Sequence, residues 1–252
     1  MPAPSLHFSN LRLAHDTLVS IYLPNIAAIG IPTPQEQEMT RAFVALAHAE
    51  IEFYFESICE EIVIATETEY KAGRITSVAL GLITFSGLPI LNGGDRLIPD
   101  KKGVLRKTSE RFYSAAAIYR KTLADNHGIR QKYLGLLLTP LGLTQENVDP
   151  NWIVLMDAFA GKRGAIAHKS MFHIEAQSKN INPIDEALQV KRLLFDDPKL
   201  KVAGSISSIE SFDAWAMHQI VTPNNKILQG HRRYNGFFKK MLWRIVQIAE
   251  SY

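Results

Sequence analysis

TPQEQEMTRAFVALAHAEIEFYFESICEEIVIA, residues 33 to 65, decides the fold class. It opens on Thr33-Pro34-Gln35-Glu36, a capping box in which a hydroxyl and a carboxylate each accept a backbone N–H at a helix start. Proline stands at the first helical position, where its missing N–H costs nothing. From there Met39, Phe43, Ala47, Ile51, Tyr54, Ile58, Ile62 and Ala65 recur at steps of three or four, the period of a single helix face. The run is too regular for a strand. It predicts a helix of roughly nine turns, about 50 Å long at 1.5 Å per residue. His48 and Glu52 lie four residues apart on one flank of it.

Working outward, Leu6 to Leu23 has helical periodicity through Leu11, Leu18 and Tyr22, and Pro24 to Pro34 breaks it as a connector. After the long helix, Arg74 to Phe85 reads as a shorter buried helix. Gly87 to Gly103 is rich in turn signals and is expected to be a loop with room for a short hairpin. Thr108 to Asn126 returns to helix, with Phe112, Ala116, Tyr119 and Leu123 on one stripe and Gly128 as a C-terminal cap. Ile129 to Leu138 is a short apolar helix stopped by Pro140 and Gly142. A further helix starts at Asp149-Pro150 and carries Trp152, Met156, Phe159 and Arg163 in register. Asp185 to Phe195, Ser205 to Val221 and Asn225 to Glu250 complete the helical candidates. No fixed-period repeat or domain boundary interrupts the chain, so residues 1–252 are expected to form a single all-α helical-bundle domain.

The composition narrows the function classes. Hydrophobic residues make up 46% and charged residues 21% of the 252, as in ordinary globular proteins. A net charge of +3 permits an anionic partner without requiring one. The single cysteine, Cys59, falls inside the long helix's apolar pattern. One thiol makes neither an internal disulfide nor a cysteine-rich zinc site, which points to a reducing, cytoplasmic setting. The N-terminus lacks a signal-peptide pattern. The longest apolar run, Val78 to Leu91, is interrupted by Gly81, Gly87 and Pro89 and is too short to span a bilayer. No membrane association is expected.

The usual cofactor and metal signatures are missing: no Gly-x4-Gly-Lys-Ser/Thr loop, no His-Glu-x-x-His, no EF-hand and no Gly-x-Ser-x-Gly elbow. His168 and His173 stand five apart, poor spacing for one helix face, so neither a metal nor a cofactor is expected. What remains is arginine with histidine. RNA is cleaved without metal when its own 2′-hydroxyl attacks the phosphorus. The protein must then move protons and neutralise charge on the pentacoordinate phosphate. Histidine, with an ordinary pKa near 6.5, suits the first task, and the forked, permanently charged guanidinium suits the second. Thirteen arginines and eight histidines give about one match by chance at four to six intervening residues, and the chain holds three: Arg41 with His48, Arg120 with His127, and Arg163 with His168. Context favours the last, where Arg163-Gly-Ala-Ile-Ala-His168-Lys169 ends an apolar helix. On an ideal helix Arg163 and His168 lie about 140° apart. They converge only if the helix ends or bends near Gly164 to Ala167, or if a second chain supplies a partner.

Arg163-Gly-x-x-Ala-His168-Lys169 after an apolar helix resembles the signature of the HEPN-domain ribonucleases. Leu46-Ala-His-Ala-Glu-Ile-Glu52-Phe-Tyr-Phe-Glu56, Asn126-His-Gly-Ile129 and the order of these parts over residues 35–170 are similar to the RiboL-PSP-like branch. The resemblance implies a HEPN-like helical domain that dimerises and builds one composite cleft from two Arg–His pairs. It also implies an endoribonuclease leaving 2′,3′-cyclic phosphate and 5′-hydroxyl ends, often a toxin or phage-defence effector acting on tRNA or other cellular RNA. On that basis Arg163 and His168 are the expected catalytic pair and Glu52 the acid that orients them. Gly164 departs from the Asn or Asp that many members carry after the arginine.

Other readings of the same residues stand beside this one. Arg163 could form a structural ion pair with Glu52 or Asp157, and His168 could cap a helix C-terminus. Glu52 shares its helix with Glu50, Glu56, Glu60 and Glu61, which suit a solvated face. Lys162 and Lys169 are candidate RNA-phosphate contacts. Lys101, Lys102, Arg106, Lys107, Arg111 and Arg232-Arg233 are further candidates for the RNA path. The alternative function is an inactive helical module, antitoxin or regulatory scaffold that binds nucleic acid or a partner protein.

Overall fold

The computed structural model describes residues 3–23, 32–87, 101–144, 146–168, 181–196 and 205–221, with backbone alone at 101–109 and 167–168. Eight α-helices occupy them, and no strand is present among the described residues. They are α1 (Leu6–Tyr22), α2 (Pro34–Lys71), α3 (Ser77–Phe85), α4 (Lys101–Ala124), α5 (Gln131–Leu138), α6 (Pro150–His168), α7 (Pro183–Leu194) and α8 (Ile209–Val221), with a 3₁₀ turn at Thr139–Leu141. The all-α fold is therefore as the sequence indicates. Among the described residues no helix is long and apolar enough to cross a membrane.

The 38 residues of α2 form the axis of the bundle. The capping box is present: Thr33 Oγ1 accepts from the Glu36 N–H at 3.2 Å, and Glu36 Oε2 accepts from the Thr33 N–H at 2.7 Å. α2 packs against α1, α3, α4, α6, α7 and α8, and that surrounding explains its pattern. Beside the expected stripe it buries Val44, Phe55, Cys59 and Val63, so the apolar band is wider than a surface helix needs. Phe55 stands at the centre, with ring centroids 6.4 Å from Trp152 of α6 and 5.2 Å from Phe212 of α8. Phe112 and Tyr54 are core residues as expected, and Cys59 is fully enclosed.

Two polar ties fix the later helices. The Trp152 indole N–H donates to the Leu193 carbonyl at 3.3 Å, joining α6 to α7. Asp213 of α8 is buried and accepts from the Ser5 N–H at 2.8 Å, the Ser5 hydroxyl at 2.5 Å and the Tyr54 hydroxyl at 3.0 Å. Ser5 also caps α1 by accepting the Phe8 N–H. One carboxylate thus ties the start of α1 and the middle of α2 to α8. A parallel bridge, Val148 with Ile206, joins the entries of α6 and α8.

Several expected boundaries shift. α4 begins at Lys101, so residues 101–103, assigned to the turn-rich loop, are helical; the rest of the possible hairpin lies outside the described residues. The lysines there favour helix, and Gly103 costs a helix interior only about 1 kcal/mol. Gly128 does not cap α4, which closes four residues earlier, with Asp125 and Asn126 donating to Lys121 and Leu123. α3 starts at Ser77, where the Thr76 hydroxyl accepts the Ala79 N–H. α8 starts at Ile209 because Ile206 is occupied by the bridge. The helix expected over Asn225–Glu250 and the pair Arg232-Arg233 lie outside the described residues.

Candidate active site

Glu52, on α2, gathers a second polar cluster within the bundle. One turn before it His48 is buried, with Nδ1 3.6 Å from Glu52 Oε2. The Asn126 amide, from the connection after α4, donates to Glu56 Oε1 at 2.9 Å and stands 3.5 Å from Glu52 Oε1. Phe159 of α6 lies against the His48 ring at 6.1 Å. Gly128, whose φ of +137° suits glycine, presents bare backbone to the ring's other edge. A Cβ there would stand 3.6 Å from Cε1 and 3.7 Å from Nε2.

Arg163 enters this cluster from α6. It follows Phe159 by one turn, so the same helical register that buries the phenyl ring turns the guanidinium toward α2. Its charge acts on both His48 and Glu52. Burial, assisted by Arg163, lowers the His48 imidazole from 6.5 to about 4, so it is neutral at physiological pH. Burial first, then the neighbouring Glu56 carboxylate, raises Glu52 above its ordinary value, while Arg163 and His127 act in the opposite direction. The site therefore sets a restrained, partly desolvated carboxyl beside a cation.

The three Arg–His spacings separate once partners are counted. Arg41 pairs with Glu38. Arg120 bridges Glu60 at 2.8 Å and Glu67 at 2.6 Å. Among the described residues Arg163 has no ion-pair or hydrogen-bonding partner, and Asp157, its other candidate neighbour, accepts the Gln131 N–H at 3.1 Å. Among the described residues, Arg163 is thus the member of the three without a side-chain partner.

The remaining expected site residues are placed as follows. α6 runs unbroken through His168, so positions 163 and 168 keep the roughly 140° separation of a continuous helix. The His168 side chain and Lys169 lie outside the described residues. Lys162, expected on the RNA path, is instead committed to α7: its Nζ donates to both carboxylate oxygens of buried Glu186 at 2.7 and 2.8 Å and to Gln189 Oε1 at 2.7 Å. That tie anchors the segment of α6 that carries Arg163. Gly164 has open space around it, since an added Cβ would meet nothing within 4 Å. The side chains of Lys101, Lys102, Arg106 and Lys107 lie outside the described residues.

Two residues of the cluster, His48 and Asn126, were not among the expected site residues. The signal for His48 was its four-residue spacing to Glu52; for Asn126 it was the Asn-His-Gly turn at the end of α4. No family model, curated protein or solved structure matches this chain.

Proposed function

We propose that the protein is a metal-independent endoribonuclease of the HEPN type, working as a homodimer. Arg163 stabilises the charge that develops on the phosphate as the 2′-hydroxyl attacks, and His168 carries the proton transfer. Glu52 orients the guanidinium, and the products are a 2′,3′-cyclic phosphate and a 5′-hydroxyl. The observation that carries this reading is Arg163 itself. A guanidinium in line with a buried apolar stripe, beside a carboxylate yet without a protein partner among the described residues, has its donors free for a ligand's oxygens. The unbroken course of α6 supports the dimer, because one chain's helix holds positions 163 and 168 on different sides and a second chain would complete the pair. Such a nuclease fits a toxin or phage-defence effector acting in the cytoplasm on tRNA or other RNA, restrained by an antitoxin or defence-system partner.

The test is cleavage of total RNA and tRNA in EDTA, with end-group analysis. Wild-type protein yields cyclic-phosphate ends, and Arg163→Ala and His168→Ala abolish them. Cleavage indifferent to His168→Ala, or strict dependence on Mg²⁺, overturns the assignment. One observation favours a second reading, a helical module that binds nucleic acid or a partner protein without cutting. Glu52, which faces Arg163, has the Glu56 carboxylate beside it, a balance less welcoming to phosphate than a purely cationic cleft. RNA binding with no cyclic-phosphate product would select it.

A further inference from the structure

His48 has no role in the reaction as proposed, yet the cluster is built around it. Its residue is 2% exposed. Its ring is held between Phe159 of α6 and the bare backbone of Gly128. Its Nδ1 is enclosed and has no hydrogen-bond partner among the described residues. Leaving a buried polar atom unpaired costs about 1–3 kcal/mol, and such exceptions call for an explanation. Glu52 Oε2 stands 3.6 Å from Nδ1, under 1 Å beyond an ordinary N–H···O bond. The other groups facing the pair are Glu56 from α2, Arg163 from α6, and Asn126 and His127 from the connection after α4. Asn126 stands on the opposite carboxylate oxygen, Oε1, at 3.5 Å.

We propose that His48 is a positioning residue whose Nδ1–H closes onto Glu52 Oε2. Together with Asn126 on Oε1, it holds that carboxylate in one orientation beside Arg163. The kinetic consequence rests on the ribonuclease reading; the pairing does not. Neutrality suits the task, because a charged imidazolium would compete with Arg163 for the same carboxylate, whereas a neutral N–H restrains it and leaves the guanidinium its own charge. The arrangement parallels the outer groups that orient ligating side chains at metal sites, whose loss costs 10–100-fold in function.

Two substitutions separate positioning from packing. His48→Phe keeps a ring against Phe159 and removes the donor; His48→Asn loses ring volume and keeps an N–H where Nδ1 stood. Per folded molecule, His48→Phe is expected to lower kcat for RNA cleavage 10–100-fold with KM unchanged, and His48→Asn to recover to within about threefold of wild type. Equal losses in both, or a loss confined to KM, overturn the proposal. The second readout needs no activity: ¹⁵N spectra of the histidines should show His48 as the Nδ1–H tautomer between pH 6 and 8, and Glu52→Ala should shift that tautomer balance. An Nε2–H tautomer in the wild type, or no response to Glu52→Ala, overturns the pairing. Failure of wild-type protein to cleave any RNA would instead refute the ribonuclease reading, with the spectra still deciding the pairing.

Discussion

A buried neutral histidine makes stability depend on pH in a direction that can be isolated. In the folded chain His48 takes a proton only near pH 4, against 6.5 when exposed. Above pH 6.5 neither state is protonated and the residue contributes no pH dependence. As pH falls from 6.5 to about 4, the unfolded chain gains a proton that the folded chain refuses, so stability falls across that window and levels below it. At 1.36 kcal/mol per pH unit the loss is about 3 kcal/mol. Glu52 works the other way: its raised value means that the folded chain binds its proton at higher pH than the unfolded chain does, so its contribution grows as pH falls. The two effects must be separated, and a Glu52→Gln background does so. Urea unfolding followed by tryptophan fluorescence would compare Glu52→Gln with Glu52→Gln/His48→Phe from pH 8 to pH 4. The double variant should gain about 3 kcal/mol on its parent between those limits, most of it between pH 6.5 and 4. A difference constant to within about 0.5 kcal/mol would refute the burial of a neutral imidazole here.

Other substitutions address the frame of the site. Gly164→Ala meets nothing within 4 Å, so it should raise stability by about 0.5–1 kcal/mol, as glycine-to-alanine changes do inside helices. If a partner chain or RNA approaches there, the same variant cleaves more slowly, and thermal melting with the cleavage assay reads both. Gly81→Ala would place a Cβ 2.4 Å from the Pro140 carbonyl oxygen, backbone that cannot swing away. Chemical denaturation should show a loss of about 1–3 kcal/mol. Lys162→Met leaves buried Glu186 without its cation and should lower stability by about 1–3 kcal/mol, while RNA affinity measured by filter binding stays unchanged. A fall in affinity with intact stability would return Lys162 to the RNA path.

The axial helix was legible because every local signal over residues 33–65 agrees: capping box, proline at the first position and an apolar step of three or four. Ends were less legible, since they depend on what lies beyond them. α4 extends back to Lys101 through residues whose neighbours carry turn signals, and Gly128 takes its left-handed φ to pack on His48, not to stop a helix. Arg163 could be singled out as an arginine continuing an apolar stripe, whereas Glu52, one of several acids on α2, was picked out only through the resemblance. His48 was obscured because its spacing to Arg41 counted it into a chance pair, while its partner lies one turn away in the other direction. Asn126 was obscured because an Asn-His-Gly run reads as a turn, and only the packing of α4 against α2 brings its amide to Glu56. The commitment of Lys162 to Glu186 needed the position of α7, which no local pattern encodes.

The Asp213 tie has a consequence for the newly made chain. It joins residues 208 apart at Ser5 and 159 apart at Tyr54. Closing segments of that length costs about 5 kcal/mol in chain entropy before any contact forms. At ordinary synthesis rates, about 10–30 s separate the emergence of Tyr54 from that of Asp213. Throughout that interval α2 has no α8 to cover Phe55 and Tyr54, so the axial helix of the bundle waits, half-clothed, for the last described helix to be made. Nascent chains stalled before residue 205 should therefore be the species most open to aggregation and to capture by chaperones.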